Sequence, residues 1–332
     1  MTIITSKTTL QATKTLDHIL FPAIKPIYEA YIKVSEIHSL WYAEYGNPKG
    51  VPVILLHGGP GAGISESYIR SLDPGFYRII AFDQRGAKRS KPFASLEDNT
   101  TKALIDDIEK IRKHLNIDKF LVFGGSWGST LAMLYGQAYP ERCSGFILRG
   151  IFCATREEYR MLWSGVGDIF PEVLEEFVNF LPPSERDNII ESYHRRLVNE
   201  DPNIYLPAAE SFIKYDTTIA FLTKGSIEVQ EELADREVTI GMSKIFAHYS
   251  VNDFFLKPNQ VLENINLIKH LPAIIVHGRY DIICRAQIAY KVHKLWEGSE
   301  LIFAEDAGHS SMEPTIASEL VLASEKMKGV FT

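Results

Sequence analysis

The sequence predicts an α/β fold: a mostly parallel central sheet covered by helices on both faces, with a helical segment inserted between sheet strands. Three observations predict it. Short apolar runs, several ending in glycine, recur along the chain, and helix-spaced stretches lie between them. From roughly residue 152 to 250 those runs give way to aromatics and charges. Strands that alternate with helices argue for a parallel sheet covered on both sides.

The elements follow in order. "YIKVSEIHSLWYAEYG" (31–46) reads as a hairpin of two half-buried strands. "PVILLHG" (52–58) is a short apolar run closed by glycine, the pattern of a strand buried on both faces. "RIIAFD" (78–83), "KFLVFG" (119–124), "SGFILRG" (144–150), "AIIVHG" (273–278) and "ELIFAE" (300–305) repeat that style. "TKALIDDIEKIRKHLNI" carries Leu104, Ile108, Ile111 and Leu115 at helical spacing, with acids early and bases late as a helix dipole favours. Further helical patterns follow Ser126 and Arg285 and end the chain. The stretch containing "REEYRMLWSGVGDIFPEVLEEFVNFLPPSERDNIIESYHRRL" reads as helical, and "AIIVHG" afterwards resumes the alternation. We therefore expect residues 1–151 and 251–332 to form one body, with 152–250 inserted as a lid over one end of the sheet.

Bulk properties narrow the function. A chain of 332 residues can bury a full core. Hydrophobic content of 45% and charged content of 23% are those of an ordinary globular protein. A net charge of −7 argues against a nucleic-acid partner, which needs a basic face. No run approaches the roughly 18 apolar residues of a membrane span, and "MTIITSKTTLQATKTLDHIL" has no hydrophobic stretch of leader type. Cys143, Cys153 and Cys284 form neither a C-x-x-C pair nor a disulfide framework, so a reducing, cytoplasmic compartment is expected.

The chemistry starts at "FGGSWGSTLAMLYG" (123–136). Ser126 sits in a G-x-S-x-G pattern where a strand-like run gives way to helical spacing, the setting of a nucleophile on a strand-to-helix turn. A serine hydroxyl needs a base before it attacks. Asp281 ends "VHGRYD" just past one apolar run, and His309 lies in "EDAGHSS" just past the next. Carboxyl ends of parallel strands share one rim of the sheet, so Ser126, Asp281 and His309 are expected together. There His309 would move the proton while Asp281 holds the ring's tautomer. "HGGPG" (57–61) matches a loop that supplies an N–H to an oxyanion. Gly59 is the expected donor and Trp127 the second. A phosphate-cradling loop is the competing reading, but no Lys-Ser/Thr pair follows and no G-x-G-x-x-G is present here. His194, His248, His270, His277 and His293 lack the spacing of a metal site.

With these residues in place the chain resembles the α/β-hydrolases, and more narrowly the proline iminopeptidases. The stretches that carry the likeness are "HGGPGAG" (57–63), "FDQRGAKRS" (82–90), "GGSWGSTLAMLYGQAYPE" (124–141), "LRGIF" (148–152), "YHRRL" (193–197), "HGRYDIIC" (277–284) and "AGHS" (307–310). The resemblance implies an α/β-hydrolase fold with a helical cap and a serine, aspartate and histidine that release N-terminal proline from peptides without metal or cofactor. It implies that acidic cap residues hold the substrate amine. Asp216 in "FIKYD" stands where the family has a glutamate, and Phe246 in "KIFAHY" stands where it has a second one. Arg149 and Phe152 match positions that line the proline pocket, and Lys88 replaces the usual glycine. A peptide or small acyl substrate is implied. Two other readings are kept: an esterase or amidase of the same fold that needs no free amine, and a non-catalytic binding protein. Epoxide hydrolases and dehalogenases of this fold need an aspartate where Ser126 stands.

Overall fold

In the computed structural model, the residues described are 3–5, 16–222 and 233–331. Most of the N-terminal stretch discussed above, and residues 223–232 of the insert, lie outside them. The strands are β1 (Ile3–Thr5), β2 (Tyr28–Lys33), β3 (Ser39–Gly46), β4 (Val51–Leu56), β5 (Tyr77–Phe82), β6 (Phe120–Gly125), β7 (Cys143–Arg149), β8 (Ala273–Gly278) and β9 (Ser299–Ala304). They form one sheet in the order β1-β9-β8-β7-β6-β4-β5-β3-β2. Every pairing from β1 to β5 is parallel; β3 and β2 join antiparallel at the edge. The expected hairpin is present, but its burial is unequal. Strand β3 is largely buried, whereas β2 is the sheet's edge and leaves Tyr28 and Tyr31 about half exposed.

Alternation along each strand builds two apolar layers. Ile54, Leu56, Val122, Phe146 and Ile275 face one, and Val53, Leu55, Leu121, Ile147 and Ile274 face the other. Helix α1 (Glu66–Arg70) contributes Tyr68 and Ile69 to the second layer. Helices α2 (Thr101–His114) and α3 (Trp127–Ala138) pack into the first through Leu104, Ile108, Ile111, Leu131 and Met133. The last turn of α2 carries Arg112, Lys113 and His114 as expected, but its first turn holds no acid. Its acids lie mid-helix, where Asp107 forms a buried ion pair with Arg85 at 2.6 Å.

Between β7 and β8 the chain runs through α4 (Arg156–Trp163), α5 (Pro171–Asn179), α6 (Ile189–Leu197), α7 (Pro202–Ala220) and α8 (Arg236–Val251), with no strand among the described residues. Trp163, Phe177, Phe212, Tyr215 and Phe246 form a continuous aromatic cluster inside these helices. Helix α9 (Gln260–Glu263) also precedes β8, α10 (Ala286–Leu295) lies between β8 and β9, and α11 (Pro314–Met327) follows β9. Among the described residues, no helix is long and apolar enough to cross a membrane.

Candidate active site

Because β4 to β9 run parallel, apart from the chain's excursion between β7 and β8, their carboxyl ends open on one rim. Ser126 follows β6 directly, at φ +57° and ψ −128°. This conformation is costly for a residue with a Cβ, by about 1–3 kcal/mol. The surroundings enforce it. The Ser126 N–H donates to the Arg149 carbonyl at 2.8 Å, and its own carbonyl accepts from the Ser129 N–H at 2.8 Å and the Ser129 hydroxyl at 2.7 Å. The small flanking residues follow from close approach. A Cβ at Gly128 would lie 2.0 Å from the Leu56 carbonyl oxygen, and one at Gly124 would lie 2.2 Å from that of Gly128. Any side chain there would push α3 off the sheet.

Ser126 Oγ lies 3.0 Å from His309 Nε2, and His309 Nδ1 lies 2.7 Å from Asp281 Oδ2. Asp281 Oδ1 accepts the Cys284 N–H at 2.7 Å. All three side chains stand at strand ends as expected, and Asp281 and His309 are buried. Burial works against the Asp281 carboxylate, yet the facing His309, the hydrogen bond it donates and the Cys284 N–H together hold its pKa below the ordinary value. A hydroxyl bonded to an imidazole whose other nitrogen is fixed by a buried carboxylate can be deprotonated as it attacks.

The glycine loop lies against the serine. A Cβ on Gly58 would come 3.2 Å from Ser126 Cβ. Gly59 adopts φ +100°, where a side chain would collide with the Gly61 nitrogen at 2.7 Å. His57 fixes this loop from beneath. Its Nε2 accepts the Gln84 N–H at 2.9 Å, which leaves the proton on Nδ1 to donate to the Gly58 carbonyl at 2.9 Å. Burial pushes the His57 pKa down to about 4, so the ring stays neutral. Gln84 also joins the two halves of the site. Its side-chain amide donates to the His57 carbonyl at 2.9 Å, and its oxygen accepts the Trp127 indole N–H at 3.0 Å. The bulky neighbour of Ser126 is thus turned into the core, where it stacks on Phe254, while its backbone stays at the turn.

A cavity of about 250 Å³ opens on Ser126 and His309. Gly59, Arg149, Phe152, Asp216 and Phe246 line it, as does Lys88. Asp216, half-buried on α7, therefore faces the cavity rather than the outside of its helix. Phe246 is 4% exposed and packs against Trp163, Phe212 and Phe254. Arg149 donates to the His309 carbonyl at 2.8 Å and to the Tyr68 hydroxyl, so much of its hydrogen bonding is directed at the protein itself. Among the described residues, the one trio of His, Cys, Asp or Glu side chains with donor atoms within 4.8 Å of one another is Asp281, Cys284 and His309, two of which already bond each other.

Sequence reasoning missed Tyr68, Gln84, His277 and Glu313. Gln84 lay within a quoted motif without a role. His277 sits four residues before Asp281, and its Nδ1 accepts the Ile151 N–H while Nε2 faces the Cys284 carbonyl at 2.6 Å. It is a buried neutral brace, and the H-x-x-x-D spacing was its visible trace.

The sheet order and the serine turn after β6 define an α/β-hydrolase. The family model for the alpha/beta hydrolase fold matches residues 51–314. A probable proline iminopeptidase from Leptolyngbya boryana is 45% identical over 92% of this chain and 96% of its own length. Proline iminopeptidases from Arabidopsis thaliana (43%; 94% of this chain and 82% of the relative) and Neisseria gonorrhoeae (41%; 91% and 96%) are similarly related. Among solved structures, a putative aryl esterase from Burkholderia cenocepacia superposes with a TM-score of 0.65 at 15% identity, covering 92% of this chain and 99% of that one, which is a likeness of fold. The chain belongs to the proline iminopeptidase family of α/β-hydrolases.

Proposed function

We propose that this chain is a serine aminopeptidase that releases N-terminal proline, or a similarly compact residue, from peptides. The observation that carries the reading is the hydrogen-bonded series from Ser126 through His309 to Asp281 at the wall of the cavity, in a chain 39–45% identical to proteins named proline iminopeptidases. Ser126 Oγ attacks the carbonyl carbon of the first residue while His309 Nε2 takes the hydroxyl proton. The Gly59 and Trp127 N–H groups receive the developing oxyanion. His309 returns the proton to the departing peptide amine, leaving an ester on Ser126. Water then attacks that ester with His309 again as base, releasing the amino acid. No metal or cofactor enters these steps.

We read residues 152–250 as a cap on a catalytic body made of 1–151 and 251–332. That reading is supported by Leu162, Asp216, Val238 and Phe246, which reach the cavity from the inserted helices. Asp216 is the candidate partner of the substrate ammonium, with Arg149, Phe152 and Phe246 shaping the pocket. A reducing, cytoplasmic compartment is supported by the free, buried thiols of Cys143, Cys153 and Cys284.

Phe246 favours a second reading, an esterase or amidase with no need of a free amine, because an aromatic ring stands where an acidic partner is expected. Cation–π contact returns only about 0.5–2 kcal/mol to an ammonium. Comparing proline arylamide with its N-acetylated form separates the readings. The aminopeptidase reading expects the blocked compound to be turned over at least 100-fold more slowly; equal rates overturn it in favour of the esterase.

A further inference from the structure

Helix α7, which carries Asp216, ends at Ala220, and the next residues lie against the loop that carries His309. The Ala220 carbonyl accepts the N–H groups of both His309 and Ser310, each at 2.9 Å. Glu313 closes the other side. Its Oε1 accepts the Leu222 N–H at 2.8 Å, and its Oε2 accepts the Gly308 N–H. Two direct hydrogen bonds, and two more that meet at the Glu313 carboxylate, thus stitch residues 220–222 to residues 308–310.

The Glu313 carboxylate is buried, at 9% exposure, and no cation lies within ion-pair distance among the described residues. Burial raises its pKa, while the two backbone N–H groups act in the opposite direction. Burying a charge without a cation is costly, so a carboxylate there needs a reason. Helix capping is not that reason. Glu313 occupies the N-cap position of α11, but its side chain makes no capping hydrogen bond. It turns instead toward the His309 loop and the end of α7.

We propose that Glu313 is a positioning residue: it binds the His309 loop to the end of α7, so that the imidazole and the helix bearing Asp216 hold one fixed spacing. The assignment rests on reading His309 as the base. Both oxygens are needed, because each bonds a different segment. A misplacement of about 1 Å at a reacting group costs about 100-fold in rate, so the effect falls on turnover rather than on binding.

The test is Glu313→Gln, assayed per active site after titration of Ser126 with a fluorophosphonate. Glutamine keeps the size but must turn its NH2 toward one of the two donors, so one bond is lost. The expected result is a kcat per titrated site 10- to 100-fold below wild type, with KM within threefold. A merely structural role would lower the number of titratable sites or the melting temperature and leave kcat per site unchanged; a value within twofold of wild type overturns the proposal. Should Glu313→Gln fail to fold, Leu222→Pro removes the bond from the α7 side, its ring carbon taking the place of the hydrogen and pushing the Glu313 carboxylate away from residue 222. Phe221 already has the extended φ −115° and ψ 144° that a residue before proline adopts. That variant is expected to lose several-fold in kcat, and an unchanged kcat overturns the proposal. A wild-type protein with neither turnover nor labelling would instead overturn the hydrolase reading itself.

Discussion

Replacing Asp281 with asparagine sets two hydrogen bonds against each other. The carboxylate accepts the Cys284 N–H at Oδ1 and faces His309 Nδ1 at Oδ2, both at 2.7 Å. An amide offers one oxygen and one NH2. The Cys284 N–H can only donate, whereas the imidazole can change tautomer, so the asparagine oxygen turns to Cys284 and its NH2 faces Nδ1. His309 must then carry its proton on Nε2 and present a donor to Ser126, 3.0 Å away. A wrong-tautomer substitution in a serine triad lowers kcat about 10⁴-fold, equivalent to about 5.5 kcal/mol of barrier. Asp281→Asn is expected to lose about 10³- to 10⁴-fold in kcat, measured by proline arylamide release at matched concentrations of folded protein. Near-UV circular dichroism should remain that of wild type. A kcat within tenfold of wild type in a folded variant would overturn this tautomer assignment.

Two further outcomes follow from the same structure. Lys88 holds φ +35°, a conformation that favours glycine, and its ammonium makes a partly exposed ion pair with Asp235 at 3.2 Å. Relief of the strain, about 1 kcal/mol or more, outweighs an exposed pair worth about 0–1 kcal/mol. Lys88→Gly should therefore leave the melting temperature equal or raise it by a few degrees, and a clear fall in a thermal melt contradicts this. His57 has a folded pKa of about 4, below the unfolded value of about 6.5. Between those values the unfolded chain binds more protons, so stability rises with pH. This group alone should cost about 3 kcal/mol as pH falls from 6.5 to 4. Urea unfolding at several pH values checks it, and His57→Gln should flatten that part of the curve.

Much of this architecture was legible because buried parallel strands leave compact apolar runs, and six of the nine strands among the described residues lay under quoted runs of that kind. Strand β1 and helix α1 were not, since three and five residues are too few to show a period. Ser126, Asp281 and His309 were legible through their order and their place at strand ends. Glu313 was not, because its partners are backbone N–H groups, one of them 91 residues away, and an N–H leaves no mark in the sequence. Gln84 shows the middle case: its motif was visible, but only the fold reveals that it bridges His57 and Trp127.

Every step of the proposed reaction runs through Ser126 as the nucleophile. Mass mapping of the protein after fluorophosphonate treatment tests it most directly, with turnover followed in the same sample. One adduct per chain is expected, on Ser126, formed in step with loss of activity, with neither adduct nor turnover in Ser126→Ala. An adduct at another residue, or turnover that survives in Ser126→Ala, would contradict it.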